Sequence, residues 1–427
     1  MVSEIINPVF PRAEQALLEE VVAEAARGLE ETYTPADWRR LKVGPMDPEE
    51  VALRVGAGSA AWPAVRRVLR VFQEAVMPGI FGASNEAPPE GLSLPSILSL
   101  AAGHLSDILF SYYAIELEEQ EAREAAAHSA LHLVSRLPEF RDHAAWNIFA
   151  SMKDPAVWDA FILRNERERD RLGQLDLIPE IDRAIKARDS GLYTAFLAEH
   201  GFDYVVDYQR RLIKRAYPGW RALLFHDIAH ALALGGETAD GRVSAIPAPF
   251  LPRVISERTA NLHQTDLHPE TVIGDANFIE HPHRGITTGQ TGRIGVGCVL
   301  YPCTLGGVTD KVKPRHPLIG DFVLIGTDVG IFGPVTVGAG SVIGPNTEIN
   351  GMVEIGERVR VRAAVVARTV ITESGKPGRI VFEKDTTVGE ECLVINDQPT
   401  DLIIPAGSSL PAHSHVVNDG QGGPKIL

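Results

Sequence analysis

From Ile319 onward an aliphatic residue returns at every sixth position: Ile319, Ile325, Ile331, Val337, Ile343, Ile349, Ile355 and Val361. Glycines follow several of them, as at Ile325-Gly326, Val337-Gly338, Ile343-Gly344 and Ile355-Gly356. Neither the period of an amphipathic helix nor the alternation of a flat strand gives six. Three short strands per turn, each rounding a corner and sending one aliphatic side chain inward, do give it. Repetition at a fixed period marks a stacked solenoid whose rungs share one core. Weaker repeats begin near Asp266, where Ile273-Gly274 is followed by Ile279 and Ile294-Gly295 by Leu300. Register is lost over the polar stretch Gly306–Pro317, a loop of the kind that carries function on a regular scaffold. Beyond Val361 the pattern frays through Ser374–Arg379 and partly resumes at Val388 and Val394. From Pro399 on, the proline- and glycine-rich sequence reads as a cap and a mobile terminus.

The first half has helical spacing instead. Apolar residues at that spacing run through 11–31, Trp62–Val76, Leu105–Val134 and Ala156–Ile185, with a break at the Asn85–Gly91 cluster. The acidic run 116–128 reads as a solvated helix face. A last helix, Gly219–Leu234, stops at Gly235-Gly236. The expected fold class is α+β: a helical N-terminal domain (1–236), a linker (237–262), a left-handed parallel β-helix (263–372), and C-terminal partial rungs, cap and tail (373–427).

Composition narrows the function. The 427 residues, 44% hydrophobic and 23% charged, suit globular domains with real cores. A formal charge of −15 disfavours a broad nucleic-acid or anionic-membrane surface. No apolar run reads as a membrane span, and the first fifteen residues lack the pattern of a secretory leader. Cys298, Cys303 and Cys392 form no CxxC pair, so a reducing cytoplasm is the expected compartment.

Three stretches, DLHPETVIGDANFIEH (266–281), CTLGG (303–307) and RHPLIGDFVLIG (315–326), resemble the serine O-acetyltransferases, hexapeptide-repeat acyltransferases. YPGWRALLFHDIAHAL (217–232) is similar to the last helix of that family's helical domain. The resemblance covers roughly 217–361, with 151–236 transferase-like in its helices and 1–150 unmatched. It implies transfer of an acetyl group from acetyl-CoA, as co-substrate, to the hydroxyl of L-serine for cysteine biosynthesis, with no metal. A free hydroxyl needs a base, and histidine oriented by a carboxylate supplies one. By similarity His281 is the general base and Asp266 its partner, fifteen residues away and able to meet it on one face. His316 contacts the acceptor or the developing oxyanion. Glu280 stands where the family has an aspartate for the ammonium group, and Arg315 suits the substrate carboxylate. Gly307, Thr327 and Pro345 match the positions along which the family holds coenzyme A.

Departures from the family pattern fall around these residues. Glu280 is one methylene longer, HPHRG carries one extra residue, Gln290 replaces a glutamate, and Leu300–Cys303 is one residue short. Homoserine, another small hydroxylated acceptor, or a non-catalytic scaffold are therefore the alternatives. The resemblance implies a homotrimer or dimer of trimers with sites between subunits. Docking to cysteine synthase stays open, because the chain ends Lys425-Ile426-Leu427. Two metal readings compete. His226-Asp227-Ile228-Ala229-His230 has the i, i+4 histidines of a zinc helix but an aspartate at its centre. A β-helical carbonic anhydrase would use His281 and His316 but lacks the HxxxxH partner. His283, His413 and His415 read as solvated.

Overall fold

A computed structural model of the chain describes residues 14–30, 61–77, 93–162, 166–308, 314–371, 375 and 377–427. The break expected at Asn85–Gly91, residues 309–313 of the polar loop, and the ends of the helix expected over 11–31 lie outside them. The chain divides into two compact units, one of residues 1–144 and 223–258, the other of 145–222 and 259–427.

The first unit is helical. Gln15–Glu30, Ala61–Val76, Leu94–Tyr113 and Glu119–Ser135 pack on one another, with Leu98, Ala102, Leu109, Ala126, Ala130 and Leu133 buried among them. The helical spacing over Leu105–Val134 is carried by two helices. Leu94–Tyr113 closes at Ala114, and Glu119 and Glu121 then occupy the first turn of the next helix, where carboxylates favour the N-terminal end of the helix dipole. The acidic run therefore starts a helix as well as facing solvent. Leu94–Tyr113 has the length and apolar content of a membrane-crossing segment, and 56% of its most apolar window is buried in the unit. At its end the Tyr113 hydroxyl is buried, bonded to the Ser129 hydroxyl and donating to the Ile246 carbonyl, both at 2.8 Å.

The second unit holds shorter helices and the solenoid. The expected Ala156–Ile185 helix is broken into Pro155–Ile162, Glu166–Gly173 and Leu177–Ala187. The last of these ends on Arg188, left-handed at φ 54°, whose guanidinium makes paired bonds of 2.6 and 2.7 Å to Asp275. That fork holds a conformation usually left to glycine.

The solenoid is the left-handed parallel β-helix. Among the described residues its strands form three sheets, two of seven and one of nine, and all but Pro424–Ile426 bond to a counterpart one rung away. The first seven-stranded sheet runs from Val272–Ile273 to Leu402–Ile404, and the second from Phe278–Ile279 to Ser409–Leu410. The nine-stranded sheet starts at Thr265–Asp266. All eight aliphatic residues of the six-residue series are at most 3% exposed. A second inward series lies two residues earlier: Val323, Val329, Val335, Ser341, Thr347, Val353, Val359 and Val365 are at most 1% exposed. Ser341 and Thr347 fit there because their hydroxyls donate to the carbonyls of Gly356 and Arg362. Burial of one Ile or Val contributes about 1.5–3 kcal/mol, so the stack rests on the ladder rather than on any one rung.

The tail differs from the expected cap and mobile terminus. Leu402–Ile404, Ser409–Leu410 and His415–Asn418 complete a full rung, and Pro424–Ile426 turns back antiparallel against His415–Asn418. The six-residue period hides this because the register steps lengthen, from Glu354 to Val381 and from Val381 to Ile403.

Candidate active site

Register places the site residues. Ile279 pairs with Leu300, Leu300 with Ile325, and Ile325 with Ile343. The next positions, Glu280, Tyr301, Gly326 and Gly344, share one column at the corner leading into the nine-stranded sheet. His281, Pro302, Thr327 and Pro345 share the column beside it. Thr327 and Pro345 thus continue the line that His281 begins, and their carbonyls accept from Asn346 and Ala364 at 2.9 and 2.8 Å.

His281 is left-handed at φ 47° and caps a short turn, Pro282–Arg284. Its side chain is 61% exposed, with Nε2 3.2 Å from the Glu280 carboxylate and the ring edge-on to His283 at 5.6 Å. Arg284 ties the turn to Asp328 at 2.8 Å. Glu280 is buried, and its Oε2 has no hydrogen-bond partner. Burial pushes its carboxyl above the ordinary range and the nearby Asp154 adds to this, while the facing Tyr301 hydroxyl and His281 pull the other way.

Asp154, which the sequence reading did not single out, completes this corner. It precedes Pro155 at the start of a helix, and its Oδ1 accepts the Ala156 amide at 2.9 Å. Its Oδ2 accepts from the Tyr217 hydroxyl. Lys153 alongside is buried, its ammonium 2.9 Å from the Gly297 carbonyl and 2.6 Å from Asp182. A carboxylate before proline reads as a helix cap, which Asp154 is; only its facing Glu280 gives it a second use.

Asp266 stands on the nine-stranded sheet in register with Thr287, and His281 Nε2 lies 3.2 Å from Glu280. His316 lies at the other edge of that sheet. Its ring is sandwiched between glycines: a Cβ on Gly289 would sit 2.0 Å from it, and one on Gly307 2.6 Å from Nε2. The Thr291 amide donates to Nδ1 at 3.2 Å, with the Thr291 hydroxyl 2.9 Å from the same nitrogen. Nδ1 is thus an acceptor, and neutral His316 carries its hydrogen on Nε2. Burial keeps the imidazole below its ordinary pKa, helped by Arg315 and His268. The Arg315 amide donates to the Thr291 hydroxyl at 3.0 Å, and its carbonyl accepts from Val308 at 3.3 Å. Gly307 belongs to this edge, apart from Thr327 and Pro345. From Pro302, in the His281 column, to Gly307 is about 16 Å at ~3.3 Å per residue. Gln290 is exposed and donates to Glu270 at 3.0 Å.

Among the described residues no three His, Cys, Asp or Glu side chains converge as metal ligands. His226 and His230 stack with ring centres 5.5 Å apart in the helical unit, and His226 is buried there. His413 is exposed, 3.2 Å from Glu391.

No family model matches the chain. The serine acetyltransferase of Bacillus pumilus is 33% identical over 179 residues, 41% of this chain and 69% of that protein. The chain belongs to the serine acetyltransferase family. The Synechococcus elongatus member is 30% identical over 177 residues, 40% of this chain and 60% of its own length. The Mycobacterium tuberculosis member is 36% identical over 134 residues, 31% and 53% respectively. The chain thus spans little more than half the length of these two relatives.

Proposed function

We propose that the chain is an acetyl-CoA-dependent O-acetyltransferase that acetylates the hydroxyl of L-serine, supplying cysteine biosynthesis. The observation that carries this reading is an exposed imidazole, His281, set 3.2 Å from the carboxylate of the buried Glu280. The acceptor's ammonium group would enter between Glu280 and Asp154, neutralising both and freeing His281 Nε2. The hydroxyl oxygen attacks the thioester carbonyl, forming the C–O bond, as Nε2 takes the hydroxyl proton. Collapse of the tetrahedral intermediate breaks the C–S bond, and the imidazolium returns the proton to the CoA thiolate. Asp266 orients the base, as the resemblance implies.

Arg315 would take the acceptor's carboxylate. His316, with its hydrogen on Nε2, is suited to donate to the developing oxyanion. The face that separates His281 from His316 is wider than a serine molecule, so one acceptor cannot touch both edges of the same chain. This supports sites shared between copies in a homotrimer, or a dimer of trimers, with acetyl-CoA running past Gly307 of one copy and Thr327 and Pro345 of the other.

Release of CoA thiol from acetyl-CoA with L-serine, L-homoserine or no acceptor tests the reading. Serine-dependent release should fall about 10²- to 10⁴-fold in His281→Ala. Release indifferent to any acceptor, or untouched by H281A, would sink it, and a preference for homoserine would move the acceptor assignment.

A further inference from the structure

The Tyr217–Gly219 segment lies against the strand that delivers Glu280 and His281. A Cβ on Gly219 would come within 2.4 Å of the Ile279 carbonyl, so helix and strand meet backbone to backbone there. The Tyr217 ring lies 6.5 Å from that of Phe278 on the same strand. From this seat its hydroxyl reaches Asp154 Oδ2, while Asp154 Oδ1 is spent on capping Ala156. Both oxygens of Asp154 are therefore fixed, close enough to Glu280 for its charge to raise that carboxyl, and Glu280 Oε2 has no hydrogen-bond partner. Burial and the Asp154 charge hold the Tyr217 phenol far above its ordinary pKa, so the hydroxyl remains a donor at any working pH.

We infer that Tyr217 is a positioning residue for the acceptor's ammonium site: its hydroxyl locks Asp154 opposite Glu280, so that the two carboxylates are preset at the spacing one ammonium group can bridge. This rests on the function proposed above. The phenol touches neither acceptor nor acetyl-CoA; it acts through Asp154. Two like charges in a buried corner repel, and without the hydroxyl Asp154 Oδ2 loses the donor that holds it against that repulsion. The dipeptide Asp154-Pro155 and the motif YPGW are then two halves of one device, joined across the helices between them.

The decisive measurement is a double-mutant cycle of Tyr217→Phe and Asp154→Asn in steady-state kinetics on the full chain. In Y217F the KM for the amino-acid acceptor should rise about tenfold, as expected for loss of a hydrogen bond to a charged group, with kcat within about threefold. The KM for acetyl-CoA should not move. Because Tyr217 acts through Asp154, adding Y217F to D154N should raise the acceptor KM no further. Equal loss in every parameter, or additive effects in the double variant, would overturn the inference and leave Tyr217 a packing residue. Amide exchange at Ala156 reads the same lock without turnover. It should quicken in Y217F as the cap loosens, and an unchanged Ala156 amide would overturn the inference even if the wild-type protein acetylates no amino acid. A wild-type protein inactive with every acceptor, together with faster Ala156 exchange in Y217F than in wild type, would instead remove the proposed reaction and keep the lock.

Discussion

On the function proposed above Glu280 sits under opposed demands: it would have to be charged to hold a cation, yet its surroundings disfavour charge. Its folded carboxyl binds a proton at higher pH than an unfolded one does. Between those two values the native state holds more protons, so stability attributable to Glu280 falls as pH rises and stays low above the folded value. Glu280→Gln removes that penalty. Melting temperatures should therefore be higher in E280Q than in wild type at pH 8, with the gap narrowing toward pH 4; a gap constant across pH would refute the assignment. The same variant should lose acceptor binding, the usual exchange of stability for function at a site. Glu280 and His281 at this corner, and Arg315 and His316 at the other edge of the sheet, were singled out because they lie in short stretches that resemble the serine O-acetyltransferases. Asp154 and Tyr217 were not, because each has a bland local reading, a helix cap and a helix-leading aromatic. Their shared purpose exists only once distant segments meet.

At the level of elements, the six-residue series predicted the solenoid because the inward residue at each corner is apolar without exception. The second inward series escaped notice because Ser341 and Thr347 interrupt it, their hydroxyls satisfied by carbonyls of the neighbouring rung. The break after Tyr113 was equally hidden, since no glycine or proline marks it and the new helix is started by charge. The turn Pro282–Arg284 follows the strand Phe278–Ile279 and the Glu280 that it carries. It places a histidine in the left-handed region, a conformation that costs energy unless its surroundings hold it. Arg284–Asp328 is such a hold, and both side chains are about half exposed. Exposed pairs contribute up to about 1 kcal/mol, so Arg284→Ala should lower kcat by no more than about fivefold, and R284K should recover part of it. Added salt should depress the wild-type rate toward that of R284A. A rate equally salt-sensitive in both proteins would dismiss the pair.

On the scale of the whole chain, the two compact units differ in how their stability is distributed. The helical unit packs around shared apolar faces, whereas the strands of each solenoid rung pair with those of the adjacent rungs, so that each rung behaves as one link in a line. A line is weakest where it stops. Parallel strands leave their last edge with unpaired amides and carbonyls, which invite another chain. Here Pro424–Ile426 doubles back on His415–Asn418, Leu427 donates to the His415 carbonyl at 2.9 Å, and Ile403 donates to Gly422 at 2.9 Å. Deletion of 419–427 should therefore raise amide exchange first in 402–418, with the effect fading rung by rung toward Ile343, and light scattering should report growing particles. Uniform exchange along the solenoid would refute this. The returning strand works as a selvedge does on woven cloth: it prevents fraying at a cut edge, and it denies that edge to a second sheet that would otherwise be sewn on.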